Sequence, residues 1–164
     1  MFASWSSVST SLSLIGKSSN VKAFHEQDPG HLKRPSDQQS FPTVTIVTPS
    51  YNQGLFIRET IESVLSQDYP AIEYMVIDGA STDDTVSILK SYGSRISWIS
   101  EPDRGQSEAI NKGWKRATGE ILAWLNSDDI YLPGAISAAV AYLQNHPDVA
   151  LIYGDGFHIS QDGQ

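Results

Sequence analysis

Asp128 and Asp129 stand side by side behind Asn126 and Ser127, directly after an apolar run at 121–125. Adjacent carboxylates leaving a buried strand are hard oxygen ligands. They suit a divalent cation such as Mg²⁺ or Mn²⁺ and, through it, a phosphorylated substrate. The plainer reading is that acids at a helix start only complement the helix dipole. Further acids recur in comparable places: Asp78 after the run 72–77, Glu101 and Asp103 after 96–99, and Asp155 after 149–153. Carboxylates gathered on one rim repel one another, and a bound cation is the economical compensation. A tight turn between Gly154 and Gly156 explains Asp155 nearly as well.

The segments between these acids must place them. Residues 44–48 form a β-branched run ended by Pro49, Ser50, Tyr51 and Asn52, which reads as a buried strand and a turn. Phe56, Ile57, Ile61, Val64 and Leu65 then recur at helical spacing. A strand at 72–77 closes on Asp78 and Gly79, and Ser81 followed by Asp84 resembles a capping box opening a second helix. Asp83 and Asp84 read as structural acids of that helix start. A strand at 96–99 precedes a helix carrying Ala109, Ile110, Trp114 and Ala117, with Gly119 as its expected C-cap. After the strand at 121–125, Pro133 marks a helix with Ile136, Val140 and Leu143, and a fifth strand follows at 149–153.

Strands alternating with helices on short loops predict an α/β fold, a mainly parallel sheet with helices on both faces. Ligands bind such sheets at the carboxyl ends of the strands, so the rim residues share one expected site. Trp98, Trp114 and Trp124 fall where a core would take them, and the scattered His25, His31, His146 and His158 lack ligand spacing.

Composition narrows the partners. The 164 residues suit one domain, and a formal charge of −8 argues against a nucleic-acid or anionic-membrane partner, which clustered Lys and Arg would hold. There is no cysteine, hence no disulfide framework or thiolate metal site. No apolar run approaches the roughly 20 residues of a transmembrane helix. Residues 1–40, Ser-rich and then polar, read as a disordered leader, and 41–164 as the folded domain. No Lys or Arg precedes Lys17, which argues against a secretory signal and makes the cytoplasm the expected location. The chain has neither a G-x-x-x-x-G-K-[ST] loop nor a G-x-G-x-x-G after its first strand, which disfavours an ATPase or an NAD-dependent enzyme.

Five segments in order resemble the family 2 glycosyltransferases of GT-A fold: TIVTPSYN at 45–52, IESVLSQDY at 61–69, IDGASTDDT at 77–85, EPDRGQSEAINKG at 101–113 and TGEILAWLNSDD at 118–129. The resemblance implies a Rossmann-like GT-A domain that binds a nucleoside diphosphate sugar with Mn²⁺ or Mg²⁺. It implies inverting transfer of the sugar to an acceptor hydroxyl, in the setting of polysaccharide biosynthesis. Carried over, Tyr51 lines the base pocket, Pro49 beside it joins the substrate-binding residues, Asp78 helps hold the nucleoside, and Asp103 lies near the nucleotide. Asn126 to Asp129 look like the family's D-x-D region, with Asn126 and Asp128 at the donor and Asp128 and Asp129 at the metal. Two positions depart from the pattern, since Gly79 stands where a second acid often follows Asp78 and Asn126 replaces the first D-x-D acid. The family's general base lies downstream of the fifth strand, expected beyond residue 164, so the chain reads as truncated before the acceptor-binding part.

Two other functions compete. A nucleotidyltransferase shares the sheet and acidic site but places a Gly-rich basic loop after the first strand, and residues 49–54 contain no Lys or Arg. A non-catalytic nucleotide-binding or interaction module needs only the fold.

Overall fold

The computed structural model describes residues 8–9, 13–15, 41–154 and 158–159, with side chains over 41–154. In chain order the elements are β1 (Val8–Ser9), β2 (Ser13–Ile15), β3 (Val44–Ser50), α1 (Ile57–Leu65), β4 (Ile72–Asp78), α2 (Thr85–Ser91), β5 (Ser97–Ser100), α3 (Gln106–Trp114), β6 (Ile121–Trp124), α4 (Ala135–Asn145), β7 (Leu151–Tyr153) and β8 (His158–Ile159). A sheet of order β5-β4-β3-β6-β2-β7 forms the centre, and β1 pairs with β8 separately. The four strands from β5 to β6 run parallel, as short strand–helix–strand units require.

Alternation along the strands separates two cores. Val44 and Ile46 of β3, Tyr74 and Val76 of β4, and Ile121 and Ala123 of β6 face one side, where they meet Ile57, Ile61 and Val64 of α1, Leu89 of α2, and Ile136, Val140 and Leu143 of α4. The intervening Val47, Met75 and Ile77 face the other side and meet Ala109 of α3, with Ile99 and Trp114 at the margin. The period of two in the sheet thus produces helices on both faces. Trp114 packs edge-on to Trp124 with ring centroids 6.0 Å apart, in keeping with a packing role. Contact on the α3 side is so close that a Cβ on Gly113 would stand 2.5 Å from Val47 Cγ1.

Three local expectations change. The fifth strand, β7, pairs with none of the parallel four among the described residues; antiparallel β2 lies between it and β6. The described residues before 41 are those of β1 and β2, and the rest of the expected leader lies outside the described residues. The second helix begins at Thr85, and Ser81 does not cap it: the Ser81 hydroxyl accepts from the Asn52 N–H at 2.7 Å and donates to Asp78. Gly119 likewise caps nothing, because α3 already ends at Trp114. Its N–H donates to Thr45 Oγ1 at 2.9 Å, and a Cβ there would meet the Thr43 carbonyl oxygen at 2.7 Å.

That contact belongs to a polar latch at the amino ends of the strands. The Glu73 carboxylate accepts from Thr45 Oγ1, from the Thr118 N–H at 2.9 Å and from Thr118 Oγ1 at 3.1 Å. Burial pushes the Glu73 carboxyl up, but the hydrogen bonds from Thr118, Thr45 and Gly119 outweigh it and hold the group below its ordinary value.

Candidate functional site

The opposite, carboxyl ends of β3, β4, β5 and β6 open into a cavity of about 660 Å³. Pro49, Tyr51, Gly79, Asp103, Asn126 and Asp128 all line it. Four loops widely separated in sequence therefore converge, because parallel strands deliver their carboxyl ends to one edge.

Each loop is fixed by specific bonds. The loop after β3 is stitched to the one after β4: Gln53 N–H donates to Thr85 Oγ1 at 2.9 Å, Gly54 N–H to Asp83 Oδ2 at 2.9 Å, and Thr82 N–H to Asn52 Oδ1 at 2.9 Å. Asn52 holds its place with φ of 53°, a left-handed conformation that asparagine tolerates better than most residues. This leaves Tyr51 61% exposed at the cavity. Burial works against ionisation of Asp83, yet hydrogen bonds from Thr85 and Gly54 prevail and keep its carboxyl below the usual range.

The loop after β5 is tied to α3 by charge. Lys112 Nζ reaches Glu101 at 3.1 Å and the Pro102 carbonyl at 3.0 Å, while Arg104 Nε donates to Glu108 at 2.7 Å. The hydrogen bond from Arg104 holds the Glu108 carboxyl low. Asp103 Oδ1 accepts from the Gly105 N–H at 2.8 Å, which leaves its other oxygen toward Gly79. The loop after β6 is anchored on α1, where the buried Thr60 hydroxyl donates to the Ser127 carbonyl at 2.9 Å.

Two expected contacts do not line the cavity. Asp78 is fully buried at the end of β4, and its carboxylate accepts from the Ser81 N–H at 2.9 Å, the Ser81 hydroxyl, and Ser100 Oγ at 2.6 Å. Its oxygens thereby tie the loop after β4 to the end of β5. Asp129 is 2% exposed and accepts from Asn126 Nδ2 at 3.0 Å. A tight turn, closed by the Asp129 N–H on the Asn126 carbonyl at 3.1 Å, sends consecutive acids in different directions, Asp128 to the cavity and Asp129 inward. Asp155 lies outside the described residues.

The sequence reading missed Arg104 and Gln106, which also line the cavity. Their signal was their position beside Asp103 and Gly105 in a loop leaving a strand, the same reason that selected Asp103. Among the described residues no helix is long and apolar enough to cross a membrane.

Comparison with known proteins agrees with this architecture. Residues 45–161 match the model of glycosyl transferase family 2. An uncharacterized glycosyltransferase of Rickettsia prowazekii (strain Madrid E) is 34% identical over 118 residues, covering 72% of this chain and 37% of that protein. The putative teichuronic acid biosynthesis glycosyltransferase TuaG of Bacillus subtilis (strain 168) is 41% identical over 92 residues, 54% of this chain and 36% of that one. The chain thus spans little more than a third of the length of these relatives. Among solved structures, S. aureus TarS 1-349 in complex with UDP-GlcNAc superposes with a TM-score of 0.59 at 28% identity, over 64% of this chain and 32% of that one. The mannosyltransferase PcManGT from Pyrobaculum calidifontis, in complex with GDP-Man and Mn²⁺, gives a TM-score of 0.59 at 31% identity over 64% and 33%. With its parallel GT-A-like sheet and a family match over most of its length, the chain belongs to glycosyl transferase family 2.

Proposed function

We propose that residues 41–164 form the donor-binding domain of a glycosyltransferase, and that the cavity takes a nucleoside diphosphate sugar together with Mn²⁺ or Mg²⁺. The observation that carries this reading is the convergence of Tyr51, Asp103, Asn126 and Asp128 on one cavity at the carboxyl edge of the sheet. The nucleotide sugars in the TarS and PcManGT complexes support the donor class, and the Mn²⁺ in the latter supports the cation. The name of the Bacillus relative, a putative teichuronic acid biosynthesis glycosyltransferase, supports a setting in polysaccharide biosynthesis.

The residues divide the work by chemistry. Pro49 and the exposed ring of Tyr51 offer an apolar surface to a base, and Asp103 offers a carboxylate beside it. Asn126 and Asp128 present oxygens that accept from ligand hydroxyls. Among the described residues no three acids or histidines converge into a metal cage. Asp128 instead fits a hard cation held by one or two protein oxygens, with substrate phosphates and water completing the shell. The chemistry supplied by such a cation, when bound, is Lewis-acid stabilisation of the negative charge developing on the departing diphosphate. Transfer with inversion also needs a carboxylate base at the acceptor hydroxyl, a role assigned to no residue lining this cavity.

Calorimetry with UDP, GDP and their sugars, with and without Mn²⁺, tests the reading. At least one of them binds in an Mn²⁺-dependent way, and Asp128→Asn weakens that binding about tenfold or more, roughly 1.4 kcal/mol. Failure of the folded chain to bind any of them overturns it in favour of an interaction module.

A further inference from the structure

The residue that departs from the family's acidic pattern, Asn126, sits in the middle of a side-chain relay. Gln106 Nε2 donates to Asn126 Oδ1 at 2.5 Å, and Asn126 Nδ2 donates to Asp129 Oδ2 at 3.0 Å. The relay spans the first residue of α3, the loop after β6 and a buried acid, so it joins two of the loops that wall the cavity.

The chemistry of the three groups sets its direction. An ionised carboxylate only accepts hydrogen bonds, whereas the two ends of a primary amide are an acceptor and a donor of nearly equal shape. The bond from Asn126 Nδ2 to Asp129 turns the NH₂ end of the amide inward, which leaves its oxygen toward Gln106 and the cavity. Gln106 completes the arrangement by donating to that oxygen, which keeps a second lone pair for a ligand. An aspartate at 126 would instead set two carboxylates about 3 Å apart, a pair that resists ionising together.

From this geometry we infer that Asp129 is a positioning residue, which acts with Gln106 to lock Asn126 as a neutral acceptor for a donor hydroxyl. The inference rests on the donor-binding reading above for its ligand, although the lock itself exists in the free protein. Asp129 then contributes to binding through Asn126 and contacts no cation. Asp128 remains the acid of this turn that faces the ligand.

Two measurements on the full chain test this. In the free protein, NMR should show the Asn126 side-chain amide protected from exchange, with the protection lost in Asp129→Ala, which removes the acceptor. Calorimetry with UDP- or GDP-sugar and Mn²⁺ should show Asn126→Ala and Asp129→Ala each weakening binding about tenfold. The double variant should be no more than about threefold worse than either single, because both act through one amide. The half-saturating Mn²⁺ concentration should stay unchanged in Asp129→Ala. An unprotected amide, a hundredfold loss in the double variant, or a large rise in the Mn²⁺ requirement overturns the inference. If Asp129→Ala does not fold, the same cycle with Gln106→Ala replaces it, since Gln106 is exposed. A protected amide in a chain that binds no nucleotide sugar would defeat the donor-binding reading and leave the lock standing.

Discussion

The carboxylate of Asp103 comes within 3.0 Å of the point where a Cβ on Gly79 would stand. The missing side chain at one strand end thus makes room for an acid from the next loop. Gly79→Asp should push Asp103 aside and add a like charge, weakening sugar-nucleotide binding about tenfold, or about 1.4 kcal/mol. Gly79→Ala, which brings bulk without charge, should cost less. Titration of both variants at equal Mn²⁺ checks the order.

Glu73 should make the fold sensitive to acid. Its folded-state carboxyl binds a proton less readily than in the unfolded chain, so falling pH favours the unfolded form. This contribution is present above the ordinary value of 4.5 and lost as pH falls through the lower folded value. Glu73→Ala should cost about 1–3 kcal/mol near neutrality by leaving Thr118 and Thr45 short of an acceptor. Urea unfolding at neutral pH and at successively lower pH beneath the ordinary value should show the two proteins drawing closer as the acid contribution disappears.

Gly113→Ala should strain the contact between α3 and β3, since the new methyl would overlap the side chain of Val47. Overpacking of this kind costs about 1–3 kcal/mol. Combining it with Val47→Ala should cost less than the sum of the single changes, a coupling that thermal unfolding of the four proteins measures.

Asp83→Ala should free the loop that carries Tyr51. It removes the acceptor of the Gly54 N–H at 2.9 Å and of the Thr85 N–H at 3.0 Å. Hydrogen exchange at Gly54 should quicken, and donor binding should weaken roughly threefold, with the melting temperature lowered only modestly because the Gly54 bond is exposed and the Thr85 bond part-buried. Unchanged exchange at Gly54 would count against the stitching of the two loops.

The fold was legible in the sequence because its signals are local. The runs at 44–48 and 72–77 are β-branched and apolar, and the acids behind them fall at strand ends whatever the strand order. The directions of the side chains were not legible in the same way. Asp78 turns away from the cavity because Ser100, 22 residues later, supplies a hydroxyl on the neighbouring strand. Asp128 and Asp129 look equivalent on paper and are separated only by the turn that the Asn126 carbonyl closes. Gly119 resembled a helix cap because glycine punctuates helices, whereas its actual constraint comes from Thr43 and Thr45, some 74 residues earlier in the case of Thr45. Pairing of β2 between β6 and β7 depends on a partner more than a hundred residues away, which no local pattern announces.

The Glu73 latch sits near the start of β4 and Asp78 ends it, five residues or about 16 Å along one strand. Robustness and recognition are therefore mounted at opposite poles of the same rod. A lineage can retune its tolerance of acid or heat at Glu73, Thr45 and Thr118 while its choice of ligand stays untouched. It can also redraw the residues around the cavity without first rebuilding the foundation that holds the strands in register.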